Sequence, residues 1–327
     1  MKKIVLLAHD PGGYDVVKPV YEELLKTGCE VVFYCVGPAA KLDAEFAITK
    51  DTVFQHVDCL LKTQQLGTLI TGTSWGDDFE LQLLAKANLN NILTIAILDY
   101  WSNYKSRFAY AGGHVYPKYY LVMDELARKE ALDEGVPEDI IQVMGHPGLQ
   151  KYLDIKVENT KGNTLETKNC LLLSQPLSLL YGDTLGYTED VFLQDCIEVL
   201  KALGRQFAIK FHPKDREEIK ENYSFYQVQG NLEELLNNYD VVIGMNSMAL
   251  LHAHLFGKCI ISYQPNLLKA DDCITNKLGI TKLITTKLVL EDVLANEQYK
   301  KITNVNNMGK NAKEKIVQFI IDKSRRR

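Results

Sequence analysis

Short apolar runs rich in β-branched residues alternate with segments of helical periodicity along the first half of the chain. The apolar runs are KIVLLAH, EVVFYCV, GTLITGT, ILTIAIL, YYLVMD and IIQVMG, and the helical segments include VVKPVYEELLKTG, FELQLLAKANL and ELARKEALDEG. Strands that are apolar on both faces and alternate with helices are typical of a parallel sheet covered on both sides. The first half is therefore predicted to form an α/β domain.

The same alternation restarts in the second half. The apolar runs there are CLLLSQ, FAIKFH, FYQVQ, DVVIG, KCIISY and TKLITT, and the helical segments include TEDVFLQDCIEVLKALG and SMALLHAHLFG. In GNLEELL, Asn231 followed by Glu234 is a capping-box pattern, which predicts the start of a helix. The segment KNAKEKIVQFIIDK near the end predicts an amphipathic helix.

Apolar periodicity lapses between the two halves, in DIKVENTKGNTLETK at residues 154–168. A chain of 327 residues also exceeds the usual size of a single core. We therefore predict an α/β fold with two Rossmann-like, doubly wound domains facing a cleft. Residues 1–154 form the first domain, 155–168 the linker and 169–306 the second domain.

Composition and charge narrow the function classes. The formal net charge of −5 argues against a nucleic-acid binder. The seven cysteines are scattered without metal-ligand spacing, which favours buried thiols in a reducing compartment. The N-terminus lacks the apolar length of a signal peptide, and no run approaches the ~20 residues of a membrane span. We expect a cytoplasmic protein, at most peripheral to the inner face of a membrane, with KSRRR as a frayed tail or a contact to acidic lipid or a partner.

Ligands of doubly wound domains bind at the carboxyl ends of the strands, so the residues there are the candidates for chemistry. The first strand ends in AHDPGGYD, where Gly12 and Gly13 allow a tight turn and the next helix offers N–H groups to an anion. His9 and Asp10 are titratable groups at this position. The alternative is that Asp10 or Asp15 only caps the helix and the glycines only make the turn.

Two further strand ends of the first domain carry polar and aromatic residues. TGTSWGDDFE offers Asp77 and Asp78 as candidate catalytic carboxylates, although both could simply cap the helix that follows. LDYWSNYKSRF predicts a polar and aromatic surface for a sugar or another acceptor, with an aromatic core and a structural arginine–carboxylate pair as the alternative. The candidate acceptor-binding residues are Trp75, Asp99, Trp101, Tyr104 and Arg107.

The second domain contains a strand that stops abruptly, in AIKFHPKD. His212 precedes Pro213, which stiffens the backbone, and Lys210 and Lys214 raise the local positive potential. A plain strand-to-loop junction with solvated lysines is the alternative.

Two neighbouring strands end in small polar residues. Ser174 lies in SQP, and DVVIG runs into MNSMALLHAHLFGK, where Asn246 or Ser247 caps a helix. The N–H groups and the hydroxyl at such a helix start suit a phosphate. His252 and His254 lie on nearly opposite faces of this helix, so they cannot chelate one metal ion together.

FHPK and GMNSMALLHAHLFGKCIIS resemble motifs of the GT-B superfamily of nucleotide-sugar enzymes, including bacterial sialyl- and polysialyltransferases and glycerophosphotransferases of the CDP-glycerol type. The resemblance implies that His212 and Pro213, and Ser247 with Asn246, hold the phosphates and ribose of a donor nucleotide. GHPGLQKY resembles the segment that closes the first domain of this superfamily, including the UDP-N-acetylglucosamine 2-epimerases. The resemblance also implies that the C-terminal helix, residues 307–323, packs back on the first domain.

The chain departs from these families at three places. The epimerases carry an arginine and a lysine after their first strand, where this chain reads HDPGGYDVVKP. They also carry adjacent glutamates after their serine, where it reads ALLHA. WGDDFE is only weakly similar to the acidic motif that supplies the catalytic base in the sialyltransferases. The resemblance therefore favours a transferase over an epimerase and leaves its base open.

We predict a metal-independent GT-B glycosyltransferase that transfers a sugar from a nucleotide donor to a surface polysaccharide or glycoconjugate. It needs no cofactor. The acceptor is expected on residues 9–15, 73–80 and 99–108, with Asp10, or else Asp77 or Asp78, as the base. The alternatives are a nucleotide-sugar epimerase or hydrolase, and a non-catalytic nucleotide-sugar-binding protein.

Overall fold

The computed structural model describes residues 2–154, 168–299 and 309–325. They divide into two compact units, which we call unit 1 (residues 1–151 and 307–327) and unit 2 (residues 152–306). Apart from Lys168, the predicted linker lies outside the described residues.

Unit 1 contains a six-stranded parallel sheet of order β2-β1-β3-β4-β7-β8. Its strands are β1 (Lys3–Ala8), β2 (Val31–Cys35), β3 (Leu66–Thr71), β4 (Leu93–Ile97), β7 (Tyr119–Val122) and β8 (Ile141–Val143). β5 (Ala109–Tyr110) and β6 (Gly113–His114) form a separate antiparallel pair. The chain reverses its direction of travel across the sheet after β2, because β3 lies on the other side of β1. The carboxyl end of β1 is thus a switch point, where doubly wound sheets place their ligands.

The helices of unit 1 connect these strands and cover the sheet. They are α1 (Pro11–Leu25), α2 (Lys50–Lys62), α3 (Phe79–Leu89), α4 (Glu125–Asp133), α5 (Gln150–Asp154), which runs into unit 2, and α13 (Ala312–Arg325). One face of α1 is fully buried against β1 and β4 through Val16, Val20 and Leu24. Ile316 and Ile320 of α13 belong to the same core. The last helix of the chain is therefore part of unit 1.

Unit 2 contains a five-stranded parallel sheet of order β10-β9-β11-β12-β13. Its strands are β9 (Cys170–Leu173), β10 (Phe207–Lys210), β11 (Val241–Gly244), β12 (Cys259–Tyr263) and β13 (Leu283–Ile284). Its helices are α6 (Leu177–Tyr181), α7 (Glu189–Ala202), α8 (Glu217–Asn222), α9 (Leu232–Leu236), α10 (Met248–Leu255), α11 (Ile274–Lys277) and α12 (Lys287–Ala295). The core packs α7 and α12 against the sheet. The prediction of two parallel-sheet α/β domains is confirmed.

The local elements differ from the predicted ones at a few places. FYQVQ was expected to be a strand, but it contains the 3-10 turn Ser224–Tyr226 and pairs with β10 only through the isolated bridge between Gln227 and Ile209. The sequence analysis missed α2, which Thr49 caps by accepting a hydrogen bond from the N–H of Thr52. It also missed the β5–β6 pair.

Candidate functional site

The loop after β10 presents His212 with one ring nitrogen already occupied. The N–H of Lys214 donates to Nδ1 of His212 over 3.1 Å, which places the ring proton on Nε2. Desolvation lowers the pKa of His212, and Lys214 and Lys220 act in the same direction against the nearby Asp215. The side chain is exposed. His212 is therefore a neutral ring whose Nε2–H can donate to a ligand.

A buried carboxylate fixes the shape of this loop. Asp215 is 3% exposed, and its Oδ2 accepts the N–H of His212 over 2.8 Å. Burial raises the pKa of Asp215. The Ser174 hydroxyl is close enough to favour the charged form, without completing a hydrogen bond of good geometry to Oδ1. Ser174 and Asp215 thus lie next to each other, close to the backbone of His212.

The two lysines next to His212 differ in their surroundings. The ammonium of Lys210 donates to the carbonyl of Gly230 over 2.7 Å, so it stabilises the edge of the sheet. The Lys214 side chain is exposed, as is Pro213. Lys214 is therefore the better placed of the two cations to meet a ligand.

The loops after β9 and β11 are joined by an amide pair. The side chain of Gln175 donates to the carbonyl of Asn246 over 2.6 Å and accepts the N–H of Asn246 over 2.9 Å. Ser247 then caps α10, and its hydroxyl accepts the N–H of Ala249 over 3.2 Å. Because β9 lies between β10 and β11, the His212 and Ser247 loops flank it, about 10 Å apart at the usual strand spacing.

In unit 1, Asp10 is the N-cap of α1. Its Oδ1 accepts the N–H of Gly13 over 2.8 Å, and its Oδ2 accepts the N–H of Trp75 over 3.4 Å. Gly12 lies against the carboxylate of Asp99, so closely that a Cβ on Gly12 would overlap it. A Cβ on Gly72 would lie only 2.7 Å from the Cα of Gly13, so these two backbones are also in close contact. The two glycines therefore permit a close approach of the α1 start to the ends of β3 and β4.

His9 is paired with Asp77. Nε2 of His9 is 3.3 Å from Oδ2 of Asp77, which Lys50 also contacts, while Nδ1 is buried without a hydrogen-bond partner. Burial lowers the pKa of His9, against the opposing effect of Asp77. Burial disfavours the charged form of Asp77, but Lys50, the N–H of Phe79 and His9 together lower its pKa. Asp78 is exposed and makes no capping hydrogen bond.

The predicted acceptor-binding residues occupy different environments. Trp75 is 58% exposed, whereas Trp101 and Tyr104 are each 1% exposed. Nε1 of Trp101 donates to Asp124, and the hydroxyl of Tyr104 donates to Glu130. Both rings are therefore core residues with satisfied polar atoms, and the surface role predicted for them does not fit their positions.

Arg107 and Asp99 form the structural pair that was the alternative. Nη1 of Arg107 donates to Oδ1 of Asp99 over 2.7 Å and to the carbonyl of Thr73, and its Nε donates to the carbonyl of Ser102. Arg107 is 7% exposed. Burial raises the pKa of Asp99, against the effect of Arg107. Through its Nη1 and Nε donors, Arg107 stabilises the loops after β3 and β4.

The sequence analysis missed Glu80. This glutamate of α3 is 2% exposed, accepts the N–H of Ser74 through Oε2 over 2.8 Å, and has no partner for Oε1. An acidic residue in a first helical turn is typical of dipole complementation, which hides its burial from sequence reasoning.

In the described ranges there is no helix long and apolar enough to cross a membrane. Those same ranges contain no group of three or more histidine, cysteine, aspartate or glutamate side chains arranged to hold a metal ion.

Comparison with solved structures identifies the architecture. The UDP-GlcNAc 2-epimerase of Methanocaldococcus jannaschii is 13% identical, with 98% of this chain and 99% of that chain covered and a TM-score of 0.68. The Neisseria meningitidis enzyme bound to UDP-GlcNAc is 14% identical, with 98% and 100% covered and a TM-score of 0.68. HepE of Anabaena, in complex with UDP and glucose, is 12% identical, with 99% of both chains covered and a TM-score of 0.57. No family model and no curated protein sequence matches the chain.

This comparison corrects the predicted activity. At such identities the likeness establishes the fold, and several of the similar structures are UDP-GlcNAc 2-epimerases, which are isomerases. The prediction of a glycosyltransferase, and of a transferase in general, is therefore wrong. The epimerase or hydrolase alternative fits the comparison better.

Proposed function

We propose that this chain binds a nucleoside diphosphate sugar at the strand ends of unit 2 and acts on it without an acceptor, as an epimerase or hydrolase. The observation that carries the proposal is the orientation of His212, whose Nδ1 is occupied by the N–H of Lys214. The Nε2–H is therefore a fixed donor for a phosphate oxygen.

Other groups at the same strand ends support a diphosphate ligand. The first turn of α10, which Ser247 caps, offers N–H groups and the positive end of the helix dipole. Lys214 adds a cationic side chain. A separation of about 10 Å between the His212 and Ser247 loops is within the reach of a diphosphate joined to a ribose. We expect Asn246 and Ser174 to contact the ribose or phosphates from between these loops.

Unit 1 contains the candidates for the acid–base group. An epimerase removes a proton from carbon and returns it, and a hydrolase activates water, so each needs a group that is unprotonated near neutral pH. The lowered pKa of His9 meets this requirement, and Asp77 orients the ring. Asp10 is the second candidate, because its carboxylate is already engaged in capping α1. We propose a cytoplasmic location, since all seven cysteines are free thiols.

The test is incubation of the protein with UDP-GlcNAc alone, followed by chromatographic separation of nucleotides and sugars. We expect free UDP, or a sugar of changed configuration, to accumulate with time. A His9→Gln variant should retain UDP-GlcNAc binding and lose turnover by on the order of 10²–10⁴. Turnover that requires an added sugar acceptor would contradict the proposal.

A second candidate is a nucleotide-sugar-binding protein without turnover. It is favoured by HDPGGYDVVKP and ALLHA, which replace the arginine, lysine and adjacent glutamates of the resembling epimerases. Binding of UDP-GlcNAc with the sugar unchanged after long incubation would select this candidate.

A further inference from the structure

Three carboxyl groups from three different elements bind the loop between β3 and α3, residues 72–78. Each carboxyl group accepts one hydrogen bond from the loop, and the three donors belong to three consecutive residues. The pairs are Thr73 Oγ1 with Asp99 Oδ1 at 3.3 Å, Ser74 N–H with Glu80 Oε2 at 2.8 Å, and Trp75 N–H with Asp10 Oδ2 at 3.4 Å. These three hydrogen bonds connect the loop to all three carboxyl groups.

The carboxyl groups outnumber the cations that contact them. Within the described ranges, Arg107 is the one cation hydrogen-bonded to this trio, through Asp99. Ionisation of all three would leave two uncompensated negative charges at a largely buried place. Like charges that share a buried site disfavour ionisation, so we infer that one carboxyl group retains a proton.

Glu80 is the member of the trio best suited to retain that proton. It is 2% exposed, and its Oε1 is buried without a partner. Burial raises the pKa of Glu80 to about 7, with Asp10 and Asp99 acting in the same direction against the N–H of Ser74. Asp10, by contrast, is only half-buried and accepts two N–H groups.

We propose that Glu80 is a positioning residue, whose bound proton stabilises the observed conformation of the 72–78 loop and whose ionisation changes that conformation. Once charged, Glu80 would need water or a cation at Oε1, and it would repel Asp10 and Asp99. The loop also carries Asp77, which contacts His9 and Lys50 on its other side. His146, which bonds the carbonyl of Asp99, and Tyr120, which interacts electrostatically with Asp99 and Arg107, are further titratable neighbours.

The loop contains its own reporter. Trp75 is 58% exposed, and the only other tryptophan of the chain, Trp101, is buried with its Nε1–H bonded to Asp124. Gly76 follows Trp75 at φ 80°, a backbone region that favours glycine and lets the loop turn sharply. A change in the loop should therefore alter the emission of Trp75 and leave that of Trp101 largely unchanged.

The experiment follows tryptophan fluorescence of the ligand-free, full-length protein between pH 5.5 and 8.5. Subtraction of a Trp75→Phe variant isolates the Trp75 signal. We expect a single transition near pH 7 in the wild type, no transition in Glu80→Gln, and an unchanged transition in Glu218→Gln, an exposed glutamate of unit 2.

A second measurement keeps the test decisive if Glu80→Gln does not fold. Carboxyl ¹³C NMR of the wild type should show a glutamate that titrates at the same pH as the Trp75 signal. Absence of the Trp75 transition, its persistence in a folded Glu80→Gln variant, or titration of every glutamate near the ordinary pKa would overturn the proposal. Since no ligand is present, the outcome is independent of the proposed function.

Discussion

Burial moves the pKa values of His9 and Glu80 in opposite directions, although both lie at the strand ends of unit 1. Loss of water disfavours the charged form of each group, so it lowers the pKa of the histidine and raises that of the glutamic acid. Both groups are thereby brought towards an uncharged state near neutral pH. Two buried groups with such shifts make the stability of unit 1 sensitive to pH.

Glu80→Gln should change how the stability of unit 1 depends on pH. The pKa of Glu80 is about 7 in the folded protein, above its ordinary value of 4.5, so the folded state binds more protons between these values. The proton on Glu80 therefore makes its full favourable contribution to the free energy of unfolding below pH 4.5. This contribution is lost as the pH rises to 7, by at most about 1.4 kcal/mol per pH unit. The variant lacks this loss. The free energy of unfolding of the wild type minus that of the variant should therefore fall by on the order of 3 kcal/mol between pH 4.5 and 8.

Urea unfolding monitored by tryptophan fluorescence checks this, because both tryptophans lie in unit 1. Glu218→Gln is the matched control, and its stability should run parallel to that of the wild type. Parallel curves for Glu80→Gln as well would show that Glu80 is ionised in the folded protein.

Side-chain burial was the part of the site that the sequence left open. A cap at Asp10 and a structural pair at Arg107 were among its alternatives, but the sequence could not choose between them and exposed roles. The burial of Trp101 depends on Asp124, which accepts its Nε1–H from 23 residues further along the chain. Partners at such separations are set by the fold, and no local pattern identifies them.

At the scale of elements, the strands of both sheets were predictable because each is a short, mostly apolar run, and the inner strands are largely buried on both faces. The exception is FYQVQ, which follows α8 and pairs with β10 only at Gln227. Its first two residues, Phe225 and Tyr226, belong to a 3-10 turn and not to a strand. The missed α2 carries its signal in the sequence, since Val53, Val57 and Leu60 are the buried residues at helical spacing. What the sequence could not show was how closely helix starts approach strand ends.

Gly12→Ala tests that approach. The added methyl group would overlap the Asp99 carboxylate, which Arg107 and Thr73 hold in place. We expect a loss of about 1–3 kcal/mol in the free energy of unfolding, as for overpacked sites in general. Gly113→Ala is the control, because the nearest atom to its new Cβ would be 4.0 Å away. Equal stability of the two variants in thermal unfolding would contradict the close approach.

At the scale of the whole molecule, two parallel-sheet units and the return of α13 to unit 1 give a fold shared by enzymes of different reaction class. The similar solved structures cover nearly the full chain at 11–14% identity. One fold hosts many activities, so the motifs around His212 and Ser247 could indicate a nucleotide ligand and still lead to the wrong reaction.

Calorimetric titration of UDP into the wild type and His212→Ala tests most directly the claim that unit 2 binds the nucleotide. Loss of a hydrogen bond to a charged phosphate costs about 1.5–3 kcal/mol, so the variant should bind UDP roughly tenfold to over a hundredfold more weakly. His114→Ala, an exposed histidine of unit 1, is the matched control and should bind as the wild type does. No UDP binding by the wild type, or equal affinity in a folded His212→Ala variant, would contradict the account.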